Sequence, residues 1–246
     1  MIVSFFYTYL YNPIYNLLIF FVGAVPGGDV GLAVIAVTVA VKVIILPLSL
    51  SAVRTQRAMK VIEPELKEIR EKYKADKEKQ AKEMFALYKK YRINPFASFL
   101  TLLIQLPILI ALYWVFMGES LPTVNVEILY SFVSIPAVIS TDFLGLFPIT
   151  GKSIVLALLA GITQFLAAYF SVPTSKKSEK STMSEDFGRA MAMQARYVIP
   201  FIIAIVAYQL SGAIGLFFIT TNLITIAQEL LVRRTPLIPK QAAAAK

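Results

Sequence analysis

GLAVIAVTVAVKVIILPLSL, residues 31–50, decides how the chain is read. A helix of about 20 apolar residues crosses the roughly 30 Å hydrocarbon core of a bilayer. This run holds one charge, Lys42, and no acidic residue. A fixed cation at bilayer depth costs roughly 2.5–3.5 kcal/mol on insertion scales. Lys42 is therefore expected to face a polar cavity, with its partner drawn from another helix, from water or from a substrate.

The composition agrees. The chain is 57% hydrophobic and 16% charged, with a mean hydropathy of +0.69. Five runs are long and apolar enough to cross a membrane, or nearly so: residues 29–51, 97–117, 152–172, 192–210 and 212–231. The expected fold is an all-α polytopic membrane protein with five transmembrane helices. The chain has no Cys and no His. Disulfides, zinc sites of the usual kind, haem ligation by His and Cys nucleophiles are thereby excluded. No cofactor is expected.

The placement of charge sets the topology. Of 24 Lys and Arg residues, thirteen lie in 52–94, five in 171–196 and four in 232–246. Only Lys42 and Lys152 fall elsewhere. With five spans the three basic segments share one side, which the positive-inside rule makes cytoplasmic. The N-terminus is then outside and the C-terminus cytoplasmic. The short link 209–213 and the connection 118–151 face outward, the latter with Glu119, Glu127 and Asp142.

Residues 1–28 lack the basic n-region of a cleavable signal peptide. Their core, SFFYTYLYNPIYNLLIFFVG at 3–22, is aromatic-rich and interrupted by Asn12, Pro13 and Asn16. It reads as an N-terminal interfacial helix on the outer surface, broken near its middle; a sixth span is the competing reading. Residues 52–94 form a polar insert. Ile62, Leu66, Ile69 and Tyr73 recur at helical spacing, as do Ala81, Phe85 and Tyr88, with a turn expected at Ala75-Asp76. This predicts a cytoplasmic helical hairpin with a break near Pro64. Its charge is +6, suited to anionic lipid headgroups or to a docking partner, while the alternating signs argue against a specific nucleic-acid patch. Residues 118–151, with Pro122, Pro136 and Pro148, read as short helices and loops. Residues 173–190 read as a polar cytoplasmic loop, and 236–246 as a cytoplasmic tail.

Polar residues recur along the apolar runs. Thr38, Lys42 and Ser49 sit close to one helical face, as do Ser98, Thr101 and Gln105. Thr163 and Gln164 lie near the middle of the third run, and Thr221, Thr225 and Gln228 share a face of the fifth, with Asn222 beside them. Each stripe alone reads as ordinary helix–helix hydrogen bonding. Four stripes together with one uncompensated Lys favour a hydrated groove. Of fifteen acidic residues Glu229 lies inside a run, near its cytoplasmic end, and Asp29 stands at the outer edge of the first. No carboxylate or His relay at depth is available for proton coupling. A guest bearing negative or polar groups suits one cation among neutral hydrogen-bonding groups.

Catalytic motifs fail. Gly145, Gly151, Lys152 and Ser153 approach a phosphate-binding loop, but five residues separate the glycines instead of four. No G-x-S-x-G elbow is present. The chain does not read as an enzyme.

Several segments resemble the YidC/Oxa/Alb membrane insertases. VKVIILPLSL at 41–50 is followed by IEPELKEIREKY at 62–73 and INPFASFLTLLIQLPILIALYWVF at 93–116. DFLGLFPIT at 142–150, ALLAGITQFLAAYFS at 157–171 and GLFFITTNLITIAQEL at 215–230 follow in the family's order. The similarity runs over about residues 1–235. It implies five helices around a hydrophilic groove that opens to the cytoplasm and to lipid. It implies too that a basic residue of the first helix sits in the groove. A polar segment of a new membrane protein would enter there, its hydrophobic segment would slide past the third and fifth helices into lipid, and no nucleotide would be hydrolysed.

The resemblance places Lys42 where bacterial members carry Arg. Lys keeps the charge and loses the bidentate fork, so a general electrostatic role survives the exchange. Gln164 and Phe218 fall at groove and slide positions, Phe218 in place of a frequent Trp, and Gln105 joins them. With Thr221 and Gln228 from the fifth stripe, these are the candidate substrate-groove residues; no catalytic or metal residue is assigned. The implied partners are nascent membrane proteins, the ribosome and the general secretion channel, at the cytoplasmic (inner) membrane. Two rival readings stay open: a channel or transporter for a small anion, and a structural assembly subunit that holds clients without passing them. A short natural member and a core fragment of a longer one also read alike.

Overall fold

The computed structural model describes residues 2–91, 93–94, 97–118, 121–172 and 189–233. The expected loop 173–190 lies outside them up to residue 188, and the tail 236–246 lies outside them entirely. The chain divides into two compact units: residues 1–44 with 105–226, and residues 45–104 with 227–246.

The first unit opens with α1 (Ile2–Phe6), a π-helical turn at Tyr7–Tyr11 and α2 (Asn12–Ala24). Asn12 and Pro13 do not interrupt this segment. Pro13 sits in the first turn of α2 and lacks an N–H, and the helix just before it widens into the π turn. The irregularity falls one step earlier, as the π turn. Tyr15, Leu18, Ile19 and Val22 of α2 are fully buried, and α2 packs on α3 (Val30–Ile44). The connection 121–153 folds back onto α2. Asn16 accepts from the Tyr130 backbone at 2.6 Å and donates to the Ile128 carbonyl at 2.8 Å. A two-stranded ribbon, β1 (Asp142–Phe143) and β2 (Phe147–Pro148), ends this connection.

α8 (Ile154–Ser171) and α9 (Arg189–Leu210) follow, with α9 passing through a π turn at Gln194–Val198. α8 and α9 pack closely because small residues line the contact. Ala157, Ala160 and Ala207 are buried together, and Phe218 and Ile219 of α10 (Gly212–Arg233) pack against them. A Cβ at Gly161 would stand 2.9 Å from that of Ala204, so only glycine admits this approach.

The second unit contains α4 (Leu46–Val61), α5 (Glu63–Lys72) and α6 (Lys77–Lys90), with the start of α7 (Ala97–Gly118) and the end of α10. The expected continuous helix over 29–51 breaks at Ile45, where α3 stops and α4 starts. Pro47 explains the break: it lacks an N–H, and its ring clashes with the carbonyl four residues earlier. Pro64 acts the same way at Ile62, which leaves helical geometry (φ −89°, ψ 1°) between α4 and α5. Asp76 caps α6, its carboxylate accepting from the Lys79 backbone at 2.9 Å. α5 and α6 close on a small core of Ala58, Ile62, Leu66, Leu87, Tyr88 and Ile93. Glu65 holds the far end, accepting from the Tyr91 hydroxyl at 2.5 Å and pairing with Lys90 at 3.7 Å.

The architecture is that of an all-α membrane protein. Among the described residues, α8, α9 and α10 are each long and apolar enough to cross a bilayer. The bent pair α3–α4 passes the same test together, and α7 has a shorter apolar stretch at Leu103–Phe116.

Candidate functional site

Lys42 lies in the last turn of α3 and is only 9% exposed. Its Nζ donates to Oε1 of Gln105 on α7 at 2.9 Å. Among the described residues no carboxylate lies within ion-pair distance of it. The cation is thus held by a neutral amide, which satisfies one of its three donors and none of its charge. Thr38, one turn earlier, turns inward on its own helix, its hydroxyl donating to the Val34 carbonyl at 2.7 Å. The break at Ile45 separates Ser49 from the other two, so the stripe read along a continuous helix ends at Lys42.

The polar residues of α10 divide by function. Asn222 is buried and donates to Thr163 Oγ1 of α8 at 3.2 Å, while Thr163 bonds back to the Leu159 carbonyl at 2.8 Å. This is a helix–helix tie. Thr225 is satisfied within its own helix, on the Thr221 carbonyl at 2.8 Å. Thr221 Oγ1 is buried and has no hydrogen-bond partner among the described residues. An orphaned buried hydroxyl costs free energy unless water or a ligand reaches it. Gln164 is half-buried on α8, one residue from the Thr163 tie. Phe218 packs on the α8–α9 alanine cluster. The side chains of Ser98 and Thr101 lie outside the described set.

In the second unit Gln228 donates to Ser49 Oγ at 2.9 Å, joining α10 to α4. One residue on, Glu229 is 2% exposed and pairs with Arg57 at 3.8 Å and with Arg233 at 3.4 Å. The structure therefore brings Lys42 and Gln105 together, and pairs Gln228 with Ser49. Gln164 and Thr221 share no hydrogen bond with Lys42 among the described residues.

Two groups escape a linear reading. Arg57 looks like one of thirteen basic residues in a charged insert, and only the fold sets it beside Glu229. Arg196 looks like a topology signal. Its guanidinium lies 4.9 Å from the Tyr169 ring centre and donates to the Val172 carbonyl at 2.7 Å, capping the end of α8. A cation at a helix C-terminus opposes the negative end of the dipole.

The model of the family described as 60Kd inner membrane protein matches residues 21–240. A membrane protein insertase YidC of Clostridium tetani is 33% identical over 209 residues, covering 85% of this chain and 84% of its own. A protein of the same name from Fusobacterium nucleatum is 27% identical over 229 residues, covering 92% and 98%. One from Haemophilus influenzae is 30% identical over 227 residues, and there the chain spans only 37% of the relative's length.

Proposed function

This chain belongs to the 60Kd inner membrane protein family, the YidC/Oxa1 group, and we propose that it is a membrane protein insertase and chaperone. It is not an enzyme. It moves the polar segment of a nascent membrane protein through a hydrophilic groove and releases the hydrophobic helix into lipid, without hydrolysing a nucleotide.

The single observation that carries this reading is Lys42, a buried cation on a membrane helix whose hydrogen-bond partner among the described residues is the Gln105 amide. A cation left without a carboxylate attracts acidic residues of an arriving segment. Moving polar groups through hydrocarbon is costly because their bonds to water are lost, and a wet groove shortens the dry distance. Burial of about 20 apolar residues completes the step, aided by the membrane potential, which is worth about 2.3 kcal/mol per charge per 100 mV.

We assign Lys42, Gln105, Gln164 and Thr221 to the groove, with the orphaned Thr221 hydroxyl as a site for water or client, and Phe218 to the slide. Gln228 is left to the packing of α4 on α10, because its amide is already bonded to Ser49. In this reading five helices span the bilayer: α3 with the start of α4, α7, α8, α9 and α10. Residues 1–28 lie on the outer surface, 52–94 form a cytoplasmic hairpin, and the C-terminus is cytoplasmic. The basic hairpin meets anionic headgroups, the ribosome or the general secretion channel.

Photocrosslinking from Gln164 and Phe218 to ribosome-bound nascent chains of a small membrane protein tests this. Crosslinks that rise and fall with nascent-chain length are expected. Their absence, with the protein folded and the ribosome docked, would move the assignment to a solute pathway or a structural subunit.

A further inference from the structure

We propose that the turn Phe143–Leu146 is a lipid anchor, carrying Leu144 and Leu146 into the acyl-chain region of the leaflet at the end where α3 and α8 begin. The turn joins β1 to β2 and is closed by Leu146 N–H donating to the Phe143 carbonyl at 3.0 Å and Gly145 N–H to the Asp142 carbonyl at 3.1 Å.

Two features of this turn contradict a water-facing role. Leu144 adopts φ +54°, the one non-glycine residue at positive φ among the described residues. A turn in water places Gly, Asn or Asp there, since a leucine Cβ is strained in that region. Leu144 is also 58% exposed and Leu146 72% exposed. An exposed leucine at a strained position loses on both counts in water, whereas contact with hydrocarbon removes one of them.

The rest of the structure sets the turn against the apolar start of α3. Phe143 lines a cavity of about 280 Å³ together with Ile35, Leu156, Leu159, Leu216 and Ile219. Ile35 and Leu159 each lie five residues into their helices, roughly 7 Å along the axis at 1.5 Å per residue. The Phe143 ring reaches this cavity, while the backbone of the turn lies at the start of α3, where Asp29 accepts from the Leu144 N–H. The neighbouring surface of α8 is of the same kind, with Ile154 63% and Leu158 57% exposed.

The turn is also clamped. Buried Asp29 accepts from the Leu144 N–H at 2.7 Å with one oxygen and from the Leu32 N–H at 3.0 Å with the other. A Cβ at Gly31 would lie 2.5 Å from the Phe143 ring, so glycine lets that ring seat on α3. Beyond β2, the Ile149 carbonyl accepts from the Ala213 N–H at 2.9 Å. The backbone is held on both sides while the two leucine side chains are left outward.

The chain contains no cysteine, so single cysteines take a nitroxide label without background. Leu144→Cys and Leu146→Cys, with exposed Glu127→Cys as the aqueous reference, are each placed in the full chain and reconstituted into phosphatidylcholine–phosphatidylglycerol vesicles. Paramagnetic resonance then compares collisions with oxygen and with a water-soluble nickel chelate. The ratio of oxygen to nickel collisions is expected to be several-fold higher at 144 and 146 than at 127. A ratio equal to that at 127 would place the turn in water and overturn the proposal. Low collision rates with both reagents would show a protein surface covering it, and would overturn the proposal equally. Leu146 lies outside the left-handed region, so it provides the decisive site if Leu144→Cys folds poorly.

Discussion

Lys42 of α3 donates to Oε1 of Gln105 on α7 at 2.9 Å, so the one cation deep in the first apolar run rests on a neutral amide, which in the proposed mechanism an incoming carboxylate displaces. Gln105→Glu replaces the amide with a permanent counter-ion, and charge-assisted bonds are roughly twice as strong as neutral ones. We expect Gln105→Glu to fold at least as stably as the parent and to insert clients poorly, measured by thermal unfolding in detergent and by protease protection of a reporter. Parental insertion by Gln105→Glu would sink the displacement argument. Lys42→Glu should likewise impair insertion more than Lys42→Arg does.

Glu229 is the buried end of a three-residue cluster with Arg57 and Arg233. Glu229→Gln leaves Arg57 next to a neutral amide, and Arg57 already carries one buried nitrogen without a partner among the described residues. Breaking such a pair costs about 3 kcal/mol. Arg233 is 41% exposed, so Arg233→Gln should cost less than about 1 kcal/mol. Unfolding midpoints of the two variants, compared in one detergent, give the ranking directly.

Tyr91 gives the hairpin a pH dependence. Its hydroxyl bond to Glu65, with desolvation and the carboxylate's charge behind it, raises the phenol above its ordinary value. The protonated phenol makes the bond. Its stabilisation is therefore complete below a pH of about 10, the ordinary value, and is lost as pH climbs through the raised one. Tyr91→Phe should cost about 1 kcal/mol at neutral pH. The gap between parent and variant should close at strongly alkaline pH, and a gap of constant size would refute this account.

Gly161 faces Ala204 and the Pro200 carbonyl across the α8–α9 contact. Gly161→Val should cost about 1–3 kcal/mol by overpacking. Ala204→Gly in the same chain removes the obstructing Cβ and should recover part of the loss. Thermal unfolding of the single and double variants measures that recovery.

Much of this was legible in the sequence, for identifiable reasons. Lys42 announces a polar environment because a lone charge in an apolar run is costly wherever the helix sits. Pro64 marks its own helix break. Pro47 carries the same signal within residues 29–51, but the hydropathy around it outweighs the signal and sets Ser49 on one helical face with Lys42. Partners were not legible. Gln105 and Glu229 become the counterparts of Lys42 and Arg57 only when helices distant in sequence meet. Asp29 and Gly31 gave no periodic signal, because their roles depend on one turn more than a hundred residues later.

That separation has a consequence for how the protein itself is made. Asp29 and Leu144 are 115 residues apart, and at roughly 5–20 residues per second the ribosome needs about 6 to 23 s to cover the interval. For that time Asp29, at the start of α3, accepts from the Leu32 N–H and lacks its second donor. The start of α3 is thus finished late, by a segment synthesised after α4, α5, α6 and α7.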